Sequence, residues 1–134
     1  MAEFKIDNSD LLNFSKFNYM VMNKYGLVGF DNADYEKIVG HGVTAYYFAC
    51  GESMEKAFES IKAKLPKGNN GKQILGVFEV SSNTITMDPI SEMFYQIVDM
   101  INPEMESWIN CYFVEEQGYP IHEQVPRIHL LVNY

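Results

Sequence analysis

The stretch Val43-Thr-Ala-Tyr-Tyr-Phe-Ala-Cys50-Gly-Glu-Ser-Met-Glu-Lys-Ala-Phe-Glu-Ser-Ile-Lys-Ala-Lys-Leu65 changes its hydrophobic period halfway along. Its first eight residues form an unbroken run rich in aromatic and β-branched side chains, bounded by Gly42 and Gly51, which is the pattern of a strand buried on both faces. Beyond Glu52 and Ser53 the apolar residues Met54, Ala57, Phe58, Ile61 and Leu65 recur at three- and four-residue steps with charges between them, the stripe of a helix lying on a core. Pro66 ends that helix and the Gly/Asn-rich segment 67–71 makes a turn. A strand feeding a covering helix is half of a strand-helix-strand unit, and the alternation repeats. Gln73–Val80 reads as a second strand. Asp88 as a cap with Pro89 at the first helical position then opens a helix whose stripe runs through Ile90, Met93, Phe94, Ile97, Val98 and Ile101. Asn102 and Pro103 close it. Ser107–Val114 and Arg127–Asn133 are two further β-runs, joined by a connection containing Gly118 and Pro120.

Upstream, Leu11, Phe14, Phe17, Met20 and Val21 fall on one helical face, with Ser9 or Asp10 as cap and Gly26 as stop. Asp31-Asn-Ala-Asp34 supplies caps for a short second helix through Tyr35–Val39, ended by Gly40 and Gly42. The order α-α-β-α-β-α-β-β predicts an α+β or α/β two-layer sandwich. Its mixed four-stranded sheet carries two helices on one face and is preceded by an N-terminal helix and a short helix; the last two strands are expected as antiparallel neighbours. Both parities of the strands are apolar. Two helices cover one face, so the other, carrying Tyr46, Phe48, Trp108 and Tyr112, must be covered by the N-terminal helix, by another subunit or by a partner. Those four residues are the interface candidates.

Composition narrows the function. The 134 residues are 47% hydrophobic and 21% charged, which fits one folded domain and excludes disorder. Ten Lys+Arg against 18 Asp+Glu leave a charge of -8, which repels phosphate backbones and anionic lipid, so neither nucleic acid nor a membrane surface is expected as partner. Arg127 is the single arginine. No run reaches the ~20 apolar residues of a membrane span and the N-terminus lacks the order of a signal peptide, so a cytoplasmic protein is expected. Cys50 and Cys111, each inside an apolar run, read as buried reduced thiols. Aromatic residues make up 14% of the chain, with eight Met beside them; a crowded core or a contact surface accounts for such an excess.

No constellation points to autonomous chemistry. His41, His122 and His129 have no ligand spacing around them, so no metal is expected; His129 sits inside a strand. Cys50 before a helix start has no identifiable base beside it. Lys67-Gly-Asn-Asn-Gly-Lys72 lacks the spacing of a phosphate-binding loop, so no cofactor is expected. Asp31 and Asp34, three residues apart at a helix start, are either caps or a carboxylate pair.

Those aspartates sit in Tyr25-Gly-Leu-Val-Gly-Phe-Asp-Asn-Ala-Asp-Tyr-Glu-Lys-Ile-Val-Gly-His-Gly-Val43. This stretch resembles the segment of FtsZ, the tubulin-like cell-division GTPase, that leaves the long central helix and carries an Asn-x-Asp-x-x-Asp motif. Gly51-Glu-Ser-Met-Glu-Lys-Ala-Phe58 is similar to the family's Gly-Glu-Asn-Arg helix start, and the later β-α-β-β order matches its C-terminal domain. The resemblance covers about residues 11–134. It implies a helical segment with an acidic loop over 1–42 and an FtsZ C-terminal-like sheet domain over 43–134, within a single domain. In the family the acidic loop enters the nucleotide pocket of the next subunit and helps a water attack the γ-phosphate, so Asp31 and Asp34 are candidates acting only in trans. Gly29 stands where the family has Asn, Met54 stands where it has Arg, and nothing in the chain resembles the Gly-rich nucleotide-binding domain. The expectation is a non-catalytic interaction domain whose partner is an FtsZ-like protein or a second copy of itself. The alternative is a small-molecule binder or enzyme with a site at a subunit boundary lined by Tyr46, Tyr112 and Cys50.

Overall fold

The computed structural model describes residues 3–23, 32–40, 42–66, 70–83 and 87–134. Strand β2 spans Val43–Cys50, and helix α3 spans Met54–Lys64 with Ser53 as its N-cap, the hydroxyl accepting from the Lys56 amide. Strand β3 (Gln73–Val80) leads to helix α4 (Met87–Ile101), strand β4 (Glu106–Phe113) and strand β5 (Arg127–Asn133). Upstream lie helix α1 (Leu11–Asn23) and helix α2 (Asn32–Val39). Several element ends shift, among them the start of α2, which takes in Asp34, expected as a cap. Helix α4 begins one residue before Asp88, which places Asp88 and Pro89 in its first turn, and β4 starts and ends one residue early.

The sheet order is β1-β2-β5-β3-β4. Two features depart from the expected four strands. Glu3–Lys5 forms a short strand, β1, parallel to the start of β2; all three residues are exposed, so no hydrophobic pattern marks it. The last strand does not sit beside β4. It inserts between β2 and β3, antiparallel to both, while β4 pairs in parallel with β3 at the sheet edge. The sequence-adjacent pair β4 and β5 is thus split by β3, an outcome that hydrophobic periodicity does not encode, since all these strands are apolar.

The registers align four-residue rows across one face. Tyr46, Leu131, Leu75 and Trp108 make one row; Phe48, His129, Val77 and Asn110 the next; Cys50, Arg127, Glu79 and Tyr112 the last. The opposite face, with Ala49, Ile74, Phe78, Cys111, Ile128, Leu130 and Val132, is buried by Phe58 and Ile61 of α3 and by Ile90, Phe94, Ile97 and Ile101 of α4. Gly76 lies directly under Phe94: a Cβ there would come within 2.5 Å of the ring, so the absent side chain is what lets α4 approach.

The face with Tyr46 and Phe48 is covered too. Phe17, Met20 and Val21 of α1 and Tyr35 and Ile38 of α2 close a second core over Tyr46, Phe48, Leu75, Val77, Tyr112 and Leu131. The two-layer expectation therefore gains a third layer, and of the three possible covers the N-terminal helix is the one present. Polar bonds seat it: the Tyr112 hydroxyl donates to the Met20 carbonyl at 3.2 Å, Thr44 to the Ile38 carbonyl at 3.3 Å, and Tyr35 of α2 to Asn18 of α1 at 2.6 Å.

Candidate functional site

The proposed contact residues fall differently from their sequence reading. Tyr46, Phe48 and Tyr112 are buried beneath α1 and α2, and Trp108 packs partly buried at the margin of the same core. As they stand, the first three present no surface to a partner; their apolar area is consumed within the chain. Asp31 lies outside the described residues. Asp34 lies in α2, where its side chain is not described. The pocket expected from Tyr46, Tyr112 and Cys50 does not form: the two tyrosines are in the core, while Cys50 is exposed at the end of β2, contrary to its reading as a buried thiol. Cys111 is buried, and burial pushes its thiol up to about 12. Among the described residues no three His, Cys, Asp or Glu side chains gather as a metal site. A cleft of about 430 Å³ lies elsewhere, between the starts of α3 and α4 and the segment before β5.

Beneath α1 runs a polar chain that links three neighbouring strands. His129 of β5 is 1% exposed and Glu79 of β3 is fully buried, and their Nε2 and Oε2 atoms are 2.5 Å apart. The other carboxylate oxygen accepts from the Tyr119 hydroxyl at 2.8 Å, and the Tyr46 hydroxyl lies 2.6 Å from His129 Nδ1. One proton assignment satisfies every atom: Tyr46 donates to Nδ1, Nε2–H donates to an ionised Glu79, and Tyr119 donates to its second oxygen. Burial alone would raise the Glu79 pKa, but the bonds from His129 and Tyr119 and the charge of Arg127 outweigh it and hold the carboxyl below its usual range. The Tyr46 phenol is pushed up, first by burial and then by Asp10 and Glu79. Arg127 lies over the Tyr119 ring at 4.0 Å and Lys16 of α1 at 4.2 Å, placing positive charge beside the buried carboxylate. Phe17 stacks on His129 at 5.5 Å.

This chain has the groups of a proton relay but no route for a substrate, since Tyr46, Glu79 and His129 are all sealed. Its work is to fix β2, β3, β5 and the Tyr119 connection to one another and to give α1 a flat ring to pack on. Sequence reading treated His129 only as a strand histidine. The signal that finds the pair is parity: Glu79 shares its side of β3 with Leu75 and Val77, and His129 its side of β5 with Arg127 and Leu131, so the carboxylate and the groups that can bond it lie on one face.

The outward side of α1 is the contrasting surface. Leu12 is 71% exposed, and Leu11, Tyr19 and Met22 are exposed with it. Over its 13 residues the helix carries a single charged side chain, Lys16. A surface helix of an acidic chain ordinarily turns charges outward; this one exposes Leu11, Leu12, Tyr19 and Met22 among Ser15, Lys16 and Asn23.

No protein-family model matches the sequence, and no curated protein matches it. Solved structures do. FtsZ from M. jannaschii, solved as an empty dimer, aligns with 94% of this chain and 37% of its own at a TM-score of 0.74 and 15% identity. CetZ from Methanosaeta thermophila aligns with 94% of this chain and 36% of its own at 0.62 and 13% identity. TubZ of Bacillus thuringiensis serovar israelensis, in GDP-form protofilaments, aligns with 93% and 36% at 0.60 and 14%. The chain thus spans a little over a third of the proteins it matches. It has the fold that this region of FtsZ, CetZ and TubZ shares, which is the fold its resemblance to the FtsZ C-terminal domain implies.

Proposed function

We propose that these 134 residues act as a non-catalytic protein-interaction domain that docks the outward side of α1 on another protein. The partner is an FtsZ-like filament subunit, or a second copy of this chain. The observation that carries the reading is the exposure of Leu11, Leu12 and Met22 on a helix whose other side is already committed to the core. Exposed apolar surface of this kind is retained where another surface covers it. The fold likeness supports the choice of partner, because TubZ, one of the proteins sharing this fold, was solved as a protofilament. We expect no GTP hydrolysis by the chain alone, and a location in the cytoplasm with the filaments it contacts.

The test is co-sedimentation with GTP-assembled FtsZ polymers, paired with sedimentation velocity of the chain alone. Binding or self-association that Leu12→Glu abolishes supports the reading. A monomer at high concentration that neither pellets with polymers nor alters their GTPase rate removes it.

A further inference from the structure

The two faces of the sheet are unlike. The buried polar and charged side chains among the described residues are Thr44, Gln73, Glu79, Asn110, His129 and Asn133, and every one of them stands on the side that α1 and α2 cover. The buried phenols of Tyr46 and Tyr112 lie there too. Under α3 and α4 the strands set Ile74, Phe78, Cys111, Ile128, Leu130 and Val132, and no buried polar side chain is described among them.

Lifting a helical layer therefore has a different cost on each face. A wholly apolar face gains nothing from the water that enters, whereas a face with hydrogen-bonding groups recovers part of the loss as those groups are solvated. The polar chain also leaves the helices untied. Tyr46, His129, Glu79 and Tyr119 spend their side-chain hydrogen bonds on one another, running from β2 through β5 and β3 to the connection after β4, so the chain stays whole when α1 departs. Bonds that do cross to the helices, from Tyr112 to the Met20 carbonyl and from Thr44 to the Ile38 carbonyl, can pass to water. Apolar anchoring is uneven in the same sense. Among the described residues α1 and α2 hold their face with Phe17, Met20, Val21, Tyr35 and Ile38, while α3 and α4 set a longer series against theirs, Phe58, Ile61, Ile90, Phe94, Ile97 and Ile101 with Ala57 and Val98. The Tyr35 hydroxyl, donating to Asn18, ties α2 to α1.

We propose that α1 and α2 form a separable layer: they lift from the sheet together while β2 to β5 stay packed on α3 and α4, and the lifted state displays Tyr46, Phe48 and Tyr112. Proteins open in cooperative units of unequal stability, and here the distribution of buried polar groups confines the cheaper opening to one face. The inference goes beyond docking through α1 and does not depend on it, because docking uses the outward side of a seated helix and opening concerns the side it hides.

The test is native-state hydrogen exchange of the full chain in rising sub-denaturing urea. We expect the amides of α1 and α2 to converge on one urea-dependent opening, at least about tenfold less protected than those of β3, β5 and α4. Ile97→Val, under α4, weakens only the core that remains in the lifted state. It is expected to reduce protection of β3, β5 and α4 about two- to tenfold and to leave α1 and α2 unmoved. Val21→Ala on α1 strains the closed state alone, so it lowers both sets alike. Equal protection of both layers, α1 and α2 amides that fall together with α4 in Ile97→Val, or separate urea-independent fraying of the two helices overturns the proposal.

Discussion

Glu79 shows most clearly how one side chain organises its surroundings. Its carboxylate is desolvated, bonded by His129 and Tyr119 and neighboured by Arg127, and its native pKa lies below the unfolded value. A group of this kind contributes its stability above the unfolded pKa of about 4.3 and loses it as pH falls through the native value. The thermal midpoint is therefore expected to fall as pH drops below about 4, and Glu79→Gln should flatten that limb. The same variant is expected to cost about 1–3 kcal/mol at neutral pH by denaturant unfolding, because His129 and Tyr119 lose a charged acceptor. Gly76 makes a second prediction. With Phe94 on its Cα, Gly76→Ala forces a fully buried ring to move and should cost about 1–3 kcal/mol. Asp31 and Asp34 make a third: if docking runs through α1 as proposed, the double Asp→Ala variant is expected to pellet with filaments as the parent does. Loss of binding in a pelleting assay would move the contact to the acidic loop.

Among the elements, α1 decides what the molecule shows to the outside. It buries Phe17, Met20 and Val21, lets Phe14 pack edge-on to Tyr46 at 5.1 Å, and leaves Leu12 and Met22 outside. Phe17→Ala is expected to cost about 3–5 kcal/mol and to shift Trp108 emission to the red, because the single tryptophan sits at the margin of the core that α1 closes. Phe94→Ala on the opposite face should cost as much and leave the emission unmoved. Fluorescence and unfolding curves on the same samples separate the two. The sequence made α1 legible by its three- and four-residue spacing, and β2, β3 and β5 by apolar runs bounded by Gly, Ser or Asn. It did not reveal β1, whose Glu3, Phe4 and Lys5 are all exposed and carry no pattern. Nor did it order the sheet: strands apolar on both parities satisfy any neighbour, and only closing the two helical layers over them selects β5 for the centre. The aromatic excess was legible as core or contact without saying which, and the answer is divided. Tyr46, Phe48 and Tyr112 are core, whereas Tyr19 and the aliphatic residues around it face outward.

The molecule as a whole is a central sheet enclosed by helices on both faces, with the fold of about a third of an FtsZ, CetZ or TubZ subunit. The Tyr46–His129–Glu79–Tyr119 chain is inside, and the exposed apolar residues Leu11, Leu12, Tyr19 and Met22 gather on α1. The most direct test is co-sedimentation of the chain with GTP-assembled FtsZ polymers, run beside Leu12→Glu. Saturable pelleting that Leu12→Glu removes while its unfolding curve stays unchanged is the result predicted. Supernatant-only protein at every concentration, or pelleting that Leu12→Glu leaves intact, would contradict it.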